Sequence, residues 1–97
     1  MSQVRQGSAS LKIAGGKMVR VDVRYTNVIL DLKLTGDFFL HPEETISALE
    51  ACLAGASLPL EAERLIEKLQ TVLEDNRAEL IGATSQDILA ALHEALA

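Results

Sequence analysis

Between Lys17 and Thr35 the chain alternates apolar and polar residues with a period of two. In KMVRVDVRY, Val19, Val21, Val23 and Tyr25 fall on one side, with Met18, Arg20, Asp22 and Arg24 on the other. In VILDLKLT the apolar side carries Val28, Leu30, Leu32 and Leu34. Alternation and β-branching predict two half-buried antiparallel strands. A two-residue turn at Thr26-Asn27 pairs Tyr25 with Val28, Val23 with Leu30, Val21 with Leu32 and Val19 with Leu34, so both apolar faces point the same way. That register sets Arg20 opposite Lys33 and Asp22 opposite Asp31. Upstream, SLKIAGGK offers a third strand with Leu11 and Ile13 inward. A three-residue loop, Ala14 to Gly16, pairs Leu11 with Val19 and needs a glycine in the left-handed region. Residues 1–9 read as a poorly ordered polar arm.

After Gly36 the period becomes helical. Pro42 suits a first helical turn, Glu43 and Glu44 complement the helix dipole, and Ile46, Leu49 and Leu53 form a buried stripe that Gly55 ends. A second helix is expected from about Pro59 to Asn76, with Leu65, Ile66, Leu69, Val72 and Leu73 on one face. The pattern restarts after Gly82. Thr84 is an N-cap with Asp87 in the capping-box position, and Ile88, Leu89, Leu92 and Leu96 point inward. Strands first and helices afterwards imply an α+β, two-layer fold: a three-stranded antiparallel sheet with about three helices packed on one face.

The length of 97 residues fits a single domain with one core. Nearly half of the residues are apolar, so the chain is globular. The net charge of −5 conceals an asymmetry. Residues 1–36 hold six basic side chains against two acidic ones, and residues 37–97 hold three against twelve. This acidic balance, with three aromatic residues in all, argues against nucleic-acid binding. Apolar runs are far short of a membrane span, the N-terminus has no secretory h-region, and a single cysteine fits a reducing compartment. A cytoplasmic protein is the expectation.

Candidate chemistry is sparse. His41 and His93 have no His or Cys at ligand spacing, so no metal site is expected. Cys52 lies one turn after Leu49 and reads as a small core residue rather than a nucleophile. AGGK lacks the remaining features of a phosphate loop and reads as a hairpin turn. No catalytic and no cofactor-binding residue is assigned. The exception to this plainness is Gly36-Asp37-Phe38-Phe39, which concentrates two of the three aromatics at a strand-to-helix junction. Consecutive residues on an extended segment point to opposite sides, so both rings cannot face the core without a bend. Either the rings cap the core and Asp37 bonds nearby backbone, or one ring and Asp37 project toward a partner.

GGKMVRVDV, GDFFLHPEE and IGATSQDILAAL, in that order and spacing, resemble the C-terminal accessory domain of lipoate–protein ligases. The resemblance runs from about Leu11 to Ala97 and is closest to archaeal-type ligases in which this domain is a separate small subunit. It implies a non-catalytic accessory subunit, needed with a large subunit for ATP-dependent activation of lipoate to lipoyl-adenylate before protein lipoylation. The Arg-Arg and Gly-Gly-Gly motifs and the catalytic lysine of the large domain are missing here. ATP, Mg and lipoate therefore belong to the large partner subunit and none is expected on this chain alone. Lipoyl-acceptor proteins are indirect partners, and neither nucleic acid nor membrane is expected. The partner-facing residues inferred from their chemistry are Lys17, Arg20, Arg24, Gly36, Asp37, Phe38 and Phe39. Two alternatives stay open: an iron–sulfur or sulfur-transfer helper on the same fold, against which the lone Cys52 counts, and an interaction domain unrelated to lipoate.

Overall fold

The alternation around Val21 produces the central strand. In the computed structural model, which describes residues 3–13, 15 and 17–96, β1 (Arg5–Lys12), β2 (Met18–Tyr25) and β3 (Ile29–Gly36) form a three-stranded antiparallel sheet in that order. Two further strands, β4 (Phe39–His41) and β5 (Glu79–Ile81), form a separate two-stranded ribbon. The helices are α1 (Thr45–Leu53), α2 (Ala62–Asp75) and α3 (Ser85–Ala95). Helix α3 packs on β1 and β2, α1 packs on β3, and α2 packs against both helices. Val19, Val21 and Ile29 meet Leu49, Leu53, Leu69, Ile88 and Leu92 in the core, all essentially without solvent contact. The α+β two-layer architecture is as expected.

The β1–β2 register agrees with the sequence reading: Leu11 lies opposite Val19. Gly15 has φ +82, in the left-handed region, while Ala14 and Gly16 of the expected loop lie outside the described residues. Strand β1 starts earlier than its hydrophobic pattern suggested. Residues 5–9, expected in a polar arm, pair with Tyr25 to Val21. Arg5, Gln6, Gly7, Ser8 and Ala9 include no large apolar side chain to mark a strand, but Gly7 lets the end of α3 approach. A Cβ there would collide with the Ala95 carbonyl oxygen.

The β2–β3 register requires a correction. Val21 pairs with Leu34 and Val23 with Leu32, two residues away from the expected pairing. Between Arg24↔Asp31 and Tyr25↔Ile29 the register shifts, which leaves Leu30 exposed and turns Ile29 into the core. The expected two-residue turn is replaced by a longer connection, in which the Thr26 N–H donates to the Val28 carbonyl at 2.9 Å. A two-residue slip preserves the inward face, so hydrophobic pattern alone cannot choose between the registers. Charge separates them: Asp22 now faces Lys33 and Arg24 faces Asp31, instead of like opposing like. The start of β3 is also tied elsewhere, since Ile29 exchanges backbone hydrogen bonds with Gly55 and Ala56 at 2.7 and 2.9 Å.

The helices begin later than their hydrophobic stripes suggested. Pro42 to Glu44 form a lead-in turn, with the Thr45 N–H donating to the Pro42 carbonyl at 3.1 Å. Helix α2 starts at Ala62 rather than near Pro59. Helix α3 begins with the expected capping box. The Thr84 hydroxyl accepts from the Asp87 N–H at 3.2 Å, and the Asp87 carboxylate accepts from the Thr84 N–H at 2.9 Å. Among the described residues no helix is long and apolar enough to cross a membrane.

Candidate functional site

Strand β3 cannot simply continue past Gly36. A Cβ at that position would collide with the Met18 carbonyl oxygen and sit 2.8 Å from the Phe38 ring. The Asp37 N–H donates to the same Met18 carbonyl at 2.9 Å, which pins the junction to the start of β2. Phe38 then folds back and packs, half-buried, against the core. Phe39 points the other way and is 57% exposed. One ring is therefore inward and one outward, with Phe39 as the outward ring.

The ribbon extends this surface. Phe39 lies opposite Ile81, itself 55% exposed, and His41 lies opposite Glu79. The Phe39 and His41 rings stack, with centroids 6.4 Å apart and planes 7° from parallel. Leu40 occupies the other face of the ribbon and is buried. Beside the patch, an open groove of about 280 Å3 is lined by Leu34, Phe38, Phe39, Leu40, Glu43 and Ile46. Lys17 crosses the end of the ribbon: a Cβ built on Gly82 would lie 3.7 Å from its side chain and 3.6 Å from the Phe38 Cα.

Five of the sequence-derived residues thus gather at one end of the sheet: Lys17, Gly36, Asp37, Phe38 and Phe39. Arg20 lies next to that end, opposite Thr35, whereas Arg24 lies toward the other end of β2, opposite Asp31. Neither arginine is an uncompensated charge. Arg20 Nε and Nη2 donate to the two Asp22 carboxylate oxygens at 3.0 and 2.9 Å, and the Ser8 hydroxyl donates to Asp22 at 2.8 Å. Arg24 donates to both oxygens of Asp31, from Nε at 3.1 and 3.0 Å. These bonds hold both carboxyl groups below the usual carboxylate range, Asp22 through Arg20 and then Ser8, Asp31 through Arg24. On the sheet face both arginines are closed into ion pairs, while Lys12 and Lys33 stay exposed beside them.

The sequence missed Ile81, Glu79 and the pairing role of His41. A three-residue strand carries too few positions to show a period, and its partner lies forty residues away. Cys52 is half-buried on α1; burial pushes its thiol pKa up, slightly offset by Lys68. Among the described residues, no group of three His, Cys, Asp or Glu side chains is placed to hold a metal ion.

Neither a family model nor a curated protein matches the sequence. A solved structure does match. It belongs to an archaeal lipoylation system from Thermoplasma acidophilum, a bi-partite lipoate protein ligase and its lipoyl domain. The likeness spans 95% of this chain and 97% of that chain, with a TM-score of 0.67 and 26% identity. The chain resembles a component of a bipartite lipoate–protein ligase system. Both chains are covered nearly end to end, so the resemblance concerns the whole fold rather than a shared motif. The three segments that resemble the ligase accessory domain in sequence also meet in space. Lys17 and Met18 come from the first, Gly36 to His41 from the second, and Ile81 and Gly82 from the third.

Proposed function

We propose that this chain is the non-catalytic accessory subunit of a bipartite lipoate–protein ligase, acting with a large catalytic subunit in the ATP-dependent formation of lipoyl-adenylate. The observation that carries this reading is the convergence of those three segments on one surface, at Lys17, Asp37, Phe39 and Ile81. An exposed aromatic beside an exposed isoleucine, rimmed by charged groups, has the make-up of a protein–protein contact centre. ATP, Mg and lipoate are held by the large subunit. The accessory chain docks and orders loops around them, so that the lipoate carboxylate is aligned for attack on the nucleotide phosphate.

The neighbouring system also contains a lipoyl domain, and this chain as a lipoyl acceptor is the second reading. Exposed lysines do not separate the readings, since Lys12, Lys17, Lys33 and Lys68 all reach solvent. The accessory reading is favoured because the three segments that resemble the ligase accessory domain converge on one surface.

The test is ATP–pyrophosphate exchange with lipoate, using the chain alone, a catalytic subunit alone, and the two mixed. Exchange is expected only from the mixture, whereas transfer from preformed lipoyl-adenylate depends less on this chain. Exchange by the chain alone, or undiminished exchange without it, overturns the proposal. Mass spectrometry of this chain after reaction separates the readings, because a lipoyl group on one of its lysines assigns it as acceptor.

A further inference from the structure

The two edges of the three-stranded sheet are treated differently. The β3 edge is guarded at both ends: Ile29 is paired with Gly55 and Ala56, and the Glu50 carboxylate accepts the Leu34 N–H at 2.7 Å. Next to it, the Asn27 carbonyl accepts the Leu58 N–H at 3.0 Å. Strand β1 has no such cover among the described residues. It pairs with β2 through eight residues without a register shift, contains no proline, and has Gly7-Ser8-Ala9-Ser10 at its middle. Natural edges are normally blunted by a bulge, a proline or a central charge. None of these devices is present between Gln6 and Leu11.

The hydrogen-bond phase of this edge follows from its neighbours. The Ile13 N–H donates to the Lys17 carbonyl at 2.8 Å, so alternate residues Leu11, Ala9, Gly7 and Arg5 bond toward β2. The backbone groups of Gln6, Ser8, Ser10 and Lys12 therefore point outward along the free edge. Their side chains lie on the exposed face of the sheet, while Gly7, Ala9 and Leu11 are partly buried on the helix side.

We infer that β1 pairs antiparallel with β1 of a second copy of this chain, about a two-fold axis at Ala9, giving a continuous six-stranded sheet. This register places Gln6 opposite Lys12 and Ser8 opposite Ser10 of the other copy as hydrogen-bonded pairs. On the helix side, Ala9 meets Ala9, and Leu11 lies opposite Gly7, beside the end of α3 that covers that glycine. Polar faces polar, apolar faces apolar, and no two like charges stand directly opposed. The alternative axis at Ser8 keeps the hydrogen-bond phase but sets Arg5 against Leu11. A two-fold contact of this kind is self-complementary, as a closed dimer requires. The contact is narrow, so the dimer is expected to dissociate on dilution. It goes beyond the proposed ligase role and leaves Phe39 and Ile81 outside the seam.

Sedimentation equilibrium of the purified chain tests the inference without any ligase partner. At concentrations on the order of 100 μM the mass should be twice the 10.5 kDa of one chain and should fall on dilution. Ser10→Pro removes an outward N–H without breaking a bond to β2, and Ser10→Lys introduces a charge at the seam. Both should sediment as monomers with unchanged circular dichroism. Backbone amides of Gln6, Ser8, Ser10 and Lys12 should exchange slowly in the wild type, and those of Gln6, Ser8 and Lys12 rapidly in both variants. A monomer at every concentration, or a dimer that both variants retain, overturns the proposal. If those amides become protected only when a catalytic subunit is added, the edge belongs to that heteromeric contact and the homodimer is refuted.

Discussion

Truncating Phe39 to alanine removes a ring that is mostly in water, so the isolated chain should lose no more than about 0.5 kcal/mol of stability. Association with the catalytic subunit should weaken by ~2 kcal/mol if Phe39 is the centre of the contact. Phe38→Ala should behave in the opposite way. A buried phenylalanine costs about 3–5 kcal/mol on truncation, and a half-buried one roughly half of that. Paired urea titrations and binding isotherms of the two variants separate these roles. Equal stability losses would place both rings in the core. At Gly36, alanine pushes a methyl group against the Met18 carbonyl and the Phe38 ring. A loss of about 1–3 kcal/mol is expected, with Phe38 displaced, visible as a lowered urea midpoint.

The pairing of β2 with β3 shows how polar residues choose among registers that apolar residues leave equivalent. Asp22 and Asp31 are held as carboxylates by Arg20 and Arg24, so their folded-state pKa values lie below the unfolded ones. The stabilisation they give is complete above the usual carboxylate range and is lost as pH falls through the depressed folded values. The pairs are exposed, so the effect is small and weakens with salt. Urea midpoints measured from pH 7 downward should decline on the acid side, and Arg24→Gln should flatten that decline by releasing Asp31. An acid limb unchanged in Arg24→Gln would assign the loss to other carboxylates.

Across the whole molecule, the charge asymmetry of the sequence is partly cancelled on folding. Arg20 and Arg24 are consumed by intrastrand and cross-strand partners, while Lys17 remains at the aromatic end of the sheet. Lys17→Glu should slow association with the catalytic subunit, most strongly at low ionic strength. Arg24→Gln, toward the far end of β2, should leave that rate unchanged. Stopped-flow association at two salt concentrations distinguishes docking at the junction from docking across the sheet face, since the second predicts that Arg24→Gln is the slower variant.

The sequence by itself determined the three main strands followed by three helices, the inward faces of β2, α2 and α3, the Thr84 capping box and the need for a left-handed glycine in the β1–β2 turn. Each follows from interactions within a few residues, where period and cap chemistry are local. It also marked Gly36 to Phe39, because adjacent aromatics in an extended segment must diverge. Which ring would be outward was not legible, since that depends on the Met18 carbonyl pinning Asp37 from another strand. The register of β3, the early start of β1 under α3, and the β4–β5 ribbon were decided by tertiary structure alone. For β3 the alternative registers bury the same apolar face, and for β1 and the ribbon no local pattern exists, so contacts between distant segments decide: Arg24 with Asp31, Gly7 with Ala95, and Phe39 with Ile81.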